Sequence, residues 1–387
     1  MLKPTRYITP KVKAVVITAL LLCAQLCLKA QVYSAAKYDA VDTTGRYLKD
    51  AQNPGFSINN QPASNLALKD PGLEQDLQVK LSKSAERKLL MQRLKQLNIS
   101  TDVDANQSNK KLLYNLANAF ARLKMYSLAM KCFFKTMQYN QHDTRADTLM
   151  QAPADSLAAD STDLDERYLN FNAVDDTLLA RQPAVLLPAT TEPRSPKITY
   201  QRISDTFKDG KKAVVYAMLM HVKQPVAGKP KVYRFTNSGH TFITLIKYNS
   251  DSTYVSLSFG FYPYKNHPLA GSPLFPSSPS GYRDDTQHKW DEVAGKFISR
   301  RKFEKILALT QKYAGLKYHL SKNNCTDFSL NAALVADLKV NGTTGKWPLG
   351  HGNNPGTTGQ SMLQGKITDG NKPDLDEVFV DDTVGKP

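Results

Sequence analysis

The stretch KYHLSKNNCTDFSLNAALVADL, residues 317–338, stops a polar, extended lead-in at Cys325 and starts a helical pattern directly after it. A free thiol near pKa 8.5 supplies little thiolate at neutral pH, and two devices lower it: a helix N-terminus and a nearby imidazole. TDFSLNAALVADL reads as a helix opening on Cys325, with Thr326 and Asp327 in the first turn and Leu330, Leu334 and Leu338 repeating every four residues. The unpaired amides of a first helical turn are also what an oxyanion needs. Packing and a disulfide to Cys132 are the alternatives for this cysteine. Packing fits less well, because SKNNC places the thiol at a polar edge.

Of the seven histidines, His240 has the best placement to serve Cys325. It follows the flexible NSG and opens the strand pattern TFITLIKY, where a side chain at a strand mouth can reach a helix packed on the sheet. His142 belongs to the end of a helical segment, His267 and His288 to a polar loop, and His351 to a glycine-rich one. His221 closes a strand, and His319 lies on the lead-in to Cys325.

The elements that must hold these groups follow from the pattern along the chain. KKAVVYAMLMHV, PKVYRF, HTFITLIKY and TYVSLSFGFYP read as strands, the last two joined across NSDS as a hairpin. In the last strand Val255, Leu257, Phe259 and Phe261 face one way and Ser256, Ser258 and Gly260 the other. NHPLAGSPLFPSSPSGYRDDTQH reads as a loop, and SRRKFEKILALTQKYAG as an amphipathic helix capped by Ser299. Strands with two helices give an α+β domain over residues 197–365. NGTTGKWPLGHGNNPGTTGQSML and the residues beyond it read as glycine-rich and loop-like, with a flexible tail over 366–387.

SGHTFITL, then SFGFYP, then YHLSKNNCTDFSLNAA resembles the circularly permuted branch of the NlpC-like papain-fold cysteine hydrolases, in which the histidine strand precedes the nucleophile helix. The resemblance covers less than half of the chain and implies an antiparallel sheet with packed helices. It also implies Cys325 as nucleophile, His240 as base and a third polar residue on the strand beside the histidine. Ser258 is the candidate for that role and Tyr262 the alternative, though the family ordinarily uses His, Asn, Asp or Gln. Asn323 and Asn324 would support the loop or donate to an oxyanion. The implied substrates are peptide or amide bonds, such as those of cell-wall peptides, and permuted relatives also transfer acyl groups on lipids.

Upstream, MLKPTRYITPKVKAVVITALLLCAQLCLKAQ reads as a secretory signal over residues 1–30, its apolar run short for a membrane span. An uncleaved anchor is the alternative. Removing residues 1–30 takes Lys3, Arg6, Lys11, Lys13 and Lys29 from a formal +16, leaving +11, a balance suited to peripheral contact with anionic envelope surfaces. Residues 31–70 read as a loosely ordered lead-in and 71–142 as a small all-helical module. In that module Leu116, Ala117, Phe120, Tyr126, Ala129 and Phe133 resemble a single tetratricopeptide helix pair, with Cys132 as core packing. Residues 143–196, acidic and then proline-rich, read as a linker with room for a short helix or strand inside it.

No H-E-x-x-H, paired C-x-x-C, EF-hand loop, phosphate loop or G-x-S-x-G elbow occurs, so neither a metal nor another cofactor is expected. No basic stripe interleaved with aromatics suggests nucleic acid. The expected function is an exported cysteine hydrolase. Its alternative is a non-catalytic envelope protein that uses the papain-like fold as a scaffold and docks a protein partner through the helical hairpin.

Overall fold

The computed structural model describes residues 81, 83–97, 106–145, 169–180, 194–234, 237–264, 271–272, 275–347, 350–370, 372 and 374–381. All belong to one compact unit, Pro62–Pro387. The expected signal and lead-in lie outside the described residues, as does much of segment 143–196. Among the described residues no helix is long and apolar enough to cross a membrane.

Four helices come first: α1 (Ser84–Leu97), α2 (Asn106–Arg122), α3 (Tyr126–Arg145) and α4 (Ala173–Ala180). Leu113, Ala117, Phe120 and Ala121 recur at helical spacing on α2 and are buried, as are Tyr126, Ala129, Cys132 and Phe133 on α3. The α2–α3 turn is tight, with Lys124 in the left-handed region at φ 61° and Met125 N–H closing back onto the Phe120 carbonyl. The segment read as a linker is a correction: its described part contains α4, whose Asp175 forms a fully buried ion pair with Lys131 at 3.0 Å.

The remainder is α+β with a mainly antiparallel sheet. Its strands are β1 (Lys197–Ile198), β2 (Ala213–Lys223), β3 (His240–Asn249), β4 (Tyr254–Pro263), β5 (Ser277–Ser278), β6 (Ser280–Asp284), β7 (Glu292–Ile298) and β8 (Tyr318–His319). They continue with β9 (Leu338–Val340), β10 (Thr344–Trp347), β11 (Gly350–Asn353), β12 (Ile367–Asp369) and β13 (Val378–Val380). Helices α5 (Tyr200–Thr206), α6 (Arg300–Ala314), α7 (Cys325–Val335) and α8 (Pro355–Leu363) lie between them. Seven strands form the central sheet in the order β1-β6-β4-β3-β2-β7-β13, every pair antiparallel.

This sheet is covered on both faces. Met218, Met220, Ile243, Leu245, Phe259 and Phe261 join Phe303 and Ile306 of α6 and Phe328 and Ala332 of α7 in one core. Ala217, Leu219, Phe242, Ile246, Tyr248 and Phe297 join Phe120, Phe133 and Phe134 of the helical hairpin in the other. All ten residues of β3 are therefore buried, its polar members included, and several of these are paired, Thr244 with Ser258 and Lys247 with Asp209. The helical module and the sheet share a core and do not form separate bodies joined by a spacer.

Three further expectations are corrected. PKVYRF gives no strand over its described residues 230–234, only an isolated bridge from Arg234 to Asn237. The stretch read as one long loop holds β5 and β6, and β7 follows it. The glycine-rich stretch read as loop-like holds β10, β11 and α8 and the tail supplies β12 and β13, of which β13 completes the sheet by pairing with β7 and burying Phe379. On α7 the buried side is built from Phe328, Ser329, Ala332 and Ala333, and Leu334 is exposed.

Candidate active site

Cys325 is the first residue of α7, and a reciprocal cap fixes that junction. The Asn324 side-chain oxygen accepts from the Thr326 and Asp327 amides at 2.7 and 3.1 Å, while Asp327 accepts from the Asn324 amide at 2.9 Å. The Asn324 amide group donates to the carbonyls of Leu320 and Asn353, both at 2.8 Å. Its hydrogen-bonding capacity is thus spent on the loop, so Asn324 has a supporting place and no spare donor for an oxyanion. Asn323 holds the same loop by donating to the Lys317 carbonyl at 2.8 Å.

His240 opens β3 directly after Gly239, which sits at φ 70°. A Cβ on Gly239 would lie 2.4 Å from the Lys223 carbonyl oxygen and 2.9 Å from Pro355, so only glycine allows this close entry to the strand. The His240 imidazole and the Thr241 backbone lie beside the Cys325 side chain, and both act on the titration of its thiol. Cys325, His240 and Tyr318 are only 6, 6 and 5 % exposed, so their mutual electrostatics act in a water-poor site.

The third residue is Asp285, which replaces Ser258 in that place. His240 Nε2 lies 3.0 Å from Asp285 Oδ2, which leaves Nδ1 for the sulfur. Asp285 Oδ1 accepts from the Tyr262 hydroxyl at 2.6 Å and the Ser195 hydroxyl at 2.7 Å, and the Asp285 amide donates to the Ser258 carbonyl at 2.9 Å. The strand register explains why Ser258 misses: it pairs with Thr244, well along β3 from His240. Its hydroxyl joins Thr244 at 2.7 Å, and Thr244 in turn joins His221 at 2.8 Å, a separate buried chain. Tyr262, the alternative, packs tilted against the imidazole at 4.2 Å between ring centres and hydrogen-bonds Asp285, not the ring nitrogen. Gly260 lies beneath the pair: a Cβ there would stand 2.5 Å from both Asp285 Oδ2 and His240 Nε2.

Charge follows from this geometry. Burial alone would drive the His240 pKa down, but the Asp285 charge and hydrogen bond and the neighbouring sulfur outweigh it and push it up to about 10. Burial alone would drive the Cys325 thiol up, but the His240 imidazolium and the Thr241 amide bring it below its usual value of 9.0. Asp285, despite its burial, is held below its ordinary range by His240. The three groups thus shift together toward a charged thiolate–imidazolium–carboxylate array.

Tyr318, on β8, lies beside Cys325, and burial together with the sulfur pushes its hydroxyl pKa well above the usual 10.0. The Cys325 N–H, in the first turn of α7, and the Tyr318 O–H are the candidate donors beside the sulfur. Both cysteines of the described chain are free; Cys132 is fully buried and its thiol is pushed well above 9.0 by burial. Among the described residues no group of three or more His, Cys, Asp or Glu could hold a metal ion.

Sequence reasoning missed Asp285, Tyr318, Tyr262's hold on the carboxylate and Ser195. The signal for Asp285 was the pair of aspartates in GYRDDTQH, at the end of a strand hidden behind a proline-rich stretch. The signal for Tyr318 was its place on the lead-in to Cys325. Of the other histidines, His288 lies 5.0 Å from the His240 ring, and His319 accepts from the Ser321 amide at 3.3 Å. His221 is buried in its own network. No family model, curated protein or solved structure matches the chain.

Proposed function

We propose that this protein is an exported cysteine hydrolase of amide bonds, with the permuted papain-like order of histidine strand before cysteine helix. One observation carries the reading: an imidazole that lies beside a helix-N-terminal thiol and is hydrogen-bonded to a buried carboxylate. The Cys325 thiolate attacks the substrate carbonyl carbon, and the C=O electron pair moves onto oxygen. That oxyanion is held by the Cys325 amide and the Tyr318 hydroxyl. The His240 imidazolium gives its proton to the departing amine as the C–N bond breaks. Water then attacks the thioester, losing a proton to His240, and the thiolate leaves. Asp285 keeps the ring oriented and stabilises its charged form throughout.

The substrate class we infer is cell-wall or related peptides, supported by the resemblance and by a mature charge of +11 suited to an anionic envelope. A non-catalytic scaffold has no use for this array. Burying three ionised groups together is costly unless each is paired, and apolar packing would hold the same elements at lower cost. The test is release of new amino groups from cell-wall peptides by residues 31–387, with Cys325→Ala and His240→Ala as controls. Hydrolysis lost in both variants supports the proposal; binding without hydrolysis in the parent protein favours the scaffold.

A further inference from the structure

The turn that leaves β6 carries Asp285 and runs to the start of β7, and the helical hairpin grips it at three points. The Lys124 ammonium donates to the Gln287 carbonyl. The Trp290 indole N–H donates to the Tyr126 hydroxyl at 3.0 Å. Arg122 lies 4.2 Å over the Trp290 ring, donates to the Asp291 carbonyl at 3.2 Å and pairs with Asp381. Within the turn, the His288 amide donates to the Asp285 carbonyl at 2.8 Å, so the residue held by Lys124 sits inside the loop that Asp285 closes.

Resting on the hydrolase reading of the site, we propose that Lys124 is a positioning residue for that reaction: from the tip of the α2–α3 hairpin it holds the turn that aims Asp285 at His240. The hairpin is then a built-in brace for the carboxylate. Conformation at the tip strengthens the argument. Lys124 has φ 61°, a region that glycine or asparagine adopts with less strain than a long side chain. The backbone therefore favours a different residue at 124, while the ammonium has a specific carbonyl to meet.

That mismatch gives a test in which stability and positioning move in opposite directions. Lys124→Gly and Lys124→Asn relieve the backbone and remove the ammonium; Lys124→Arg retains a donor. The readouts are thermal unfolding and the pH profile of Cys325 alkylation by iodoacetamide, with Asp285→Asn and the exposed Lys111→Ala as references. Expected is an unfolding temperature equal to or above the parent's for Lys124→Gly or Lys124→Asn. Alkylation at pH 7 slows about three- to tenfold and its midpoint moves upward, with Lys124→Arg and Lys111→Ala close to the parent. If both neutral variants keep the parent profile while Asp285→Asn shifts it, the brace is refuted and the hydrolase reading stands. If Asp285→Asn also leaves the profile unmoved, the reading of the site falls, and the brace falls with it.

Discussion

Replacing Asp285 by Asn removes a charge and changes almost no volume. The Asn oxygen can still accept from Tyr262 and Ser195, which now reach Oδ1 at 2.6 and 2.7 Å, so the amide nitrogen is turned toward His240 Nε2. In the parent, Asp285 and the sulfur lift the imidazole from its usual 6.5 to about 10 against the pull of burial, a preference for the charged ring of about 5 kcal/mol at 1.36 kcal/mol per unit. Without the carboxylate, burial dominates and the ring is neutral at pH 7. The thiol then loses its counter-charge and rises to 9.0 or above, because burial is its largest remaining influence. A thiol at 9.0 is about 1 % thiolate at pH 7, so alkylation slows by up to about 100-fold. The assay is the second-order rate of iodoacetamide reaction at Cys325, read by mass spectrometry across pH 5–10. Cys132 is an internal reference that stays unlabelled in the folded protein because it is fully buried. An Asp285→Asn variant with the parent rate and midpoint would refute the charge argument.

Tyr318→Phe removes one of the two donors beside the sulfur. It is expected to lower kcat by about 10- to 1,000-fold while leaving a reactive Cys325 thiolate, a split that peptide hydrolysis and alkylation measured side by side reveal. Ser258→Ala breaks only the Thr244 link, so it should cost about 1 kcal/mol in denaturant unfolding and leave the alkylation profile in place. Glu292 is buried with an unpartnered Oε2, and burial together with Asp291 and Asp381 pushes its pKa up to about 8. Since the folded-state value lies above the usual 4.5, its contribution to stability is full below pH 4.5 and is lost as pH rises through 8. Glu292→Gln should flatten that fall in a thermal-unfolding series.

The parts of the site set by local pattern were legible in the sequence. A polar lead-in, a cysteine and a helical run locate the N-terminus of α7, and a glycine before a β-rich run locates the mouth of β3. The NSDS turn fixes the β3–β4 hairpin. The third residue was not legible, for a physical reason. Asp285 follows the five-residue strand β6, whose partner β4 is reached only after a proline-rich excursion, and short non-local strands carry little periodicity of their own. Reading Ser258 from the hairpin alone took a neighbouring strand, and a position too far along it, since Ile243 pairs with Phe259 and the register runs on toward Tyr262. The corrected linker and tail have a related cause. Leu179 and Phe379 gain their burial against elements far away in the chain, and composition within a short window does not carry that information.

The central claim is that Cys325 is ionised beside a protonated His240 at neutral pH. It is tested most directly by the ultraviolet thiolate absorbance of the parent minus that of Cys325→Ala, followed from acid to base. The account predicts a thiolate signal already present at pH 7 that disappears only on acidification. A signal that develops only as the pH passes 9 would contradict it.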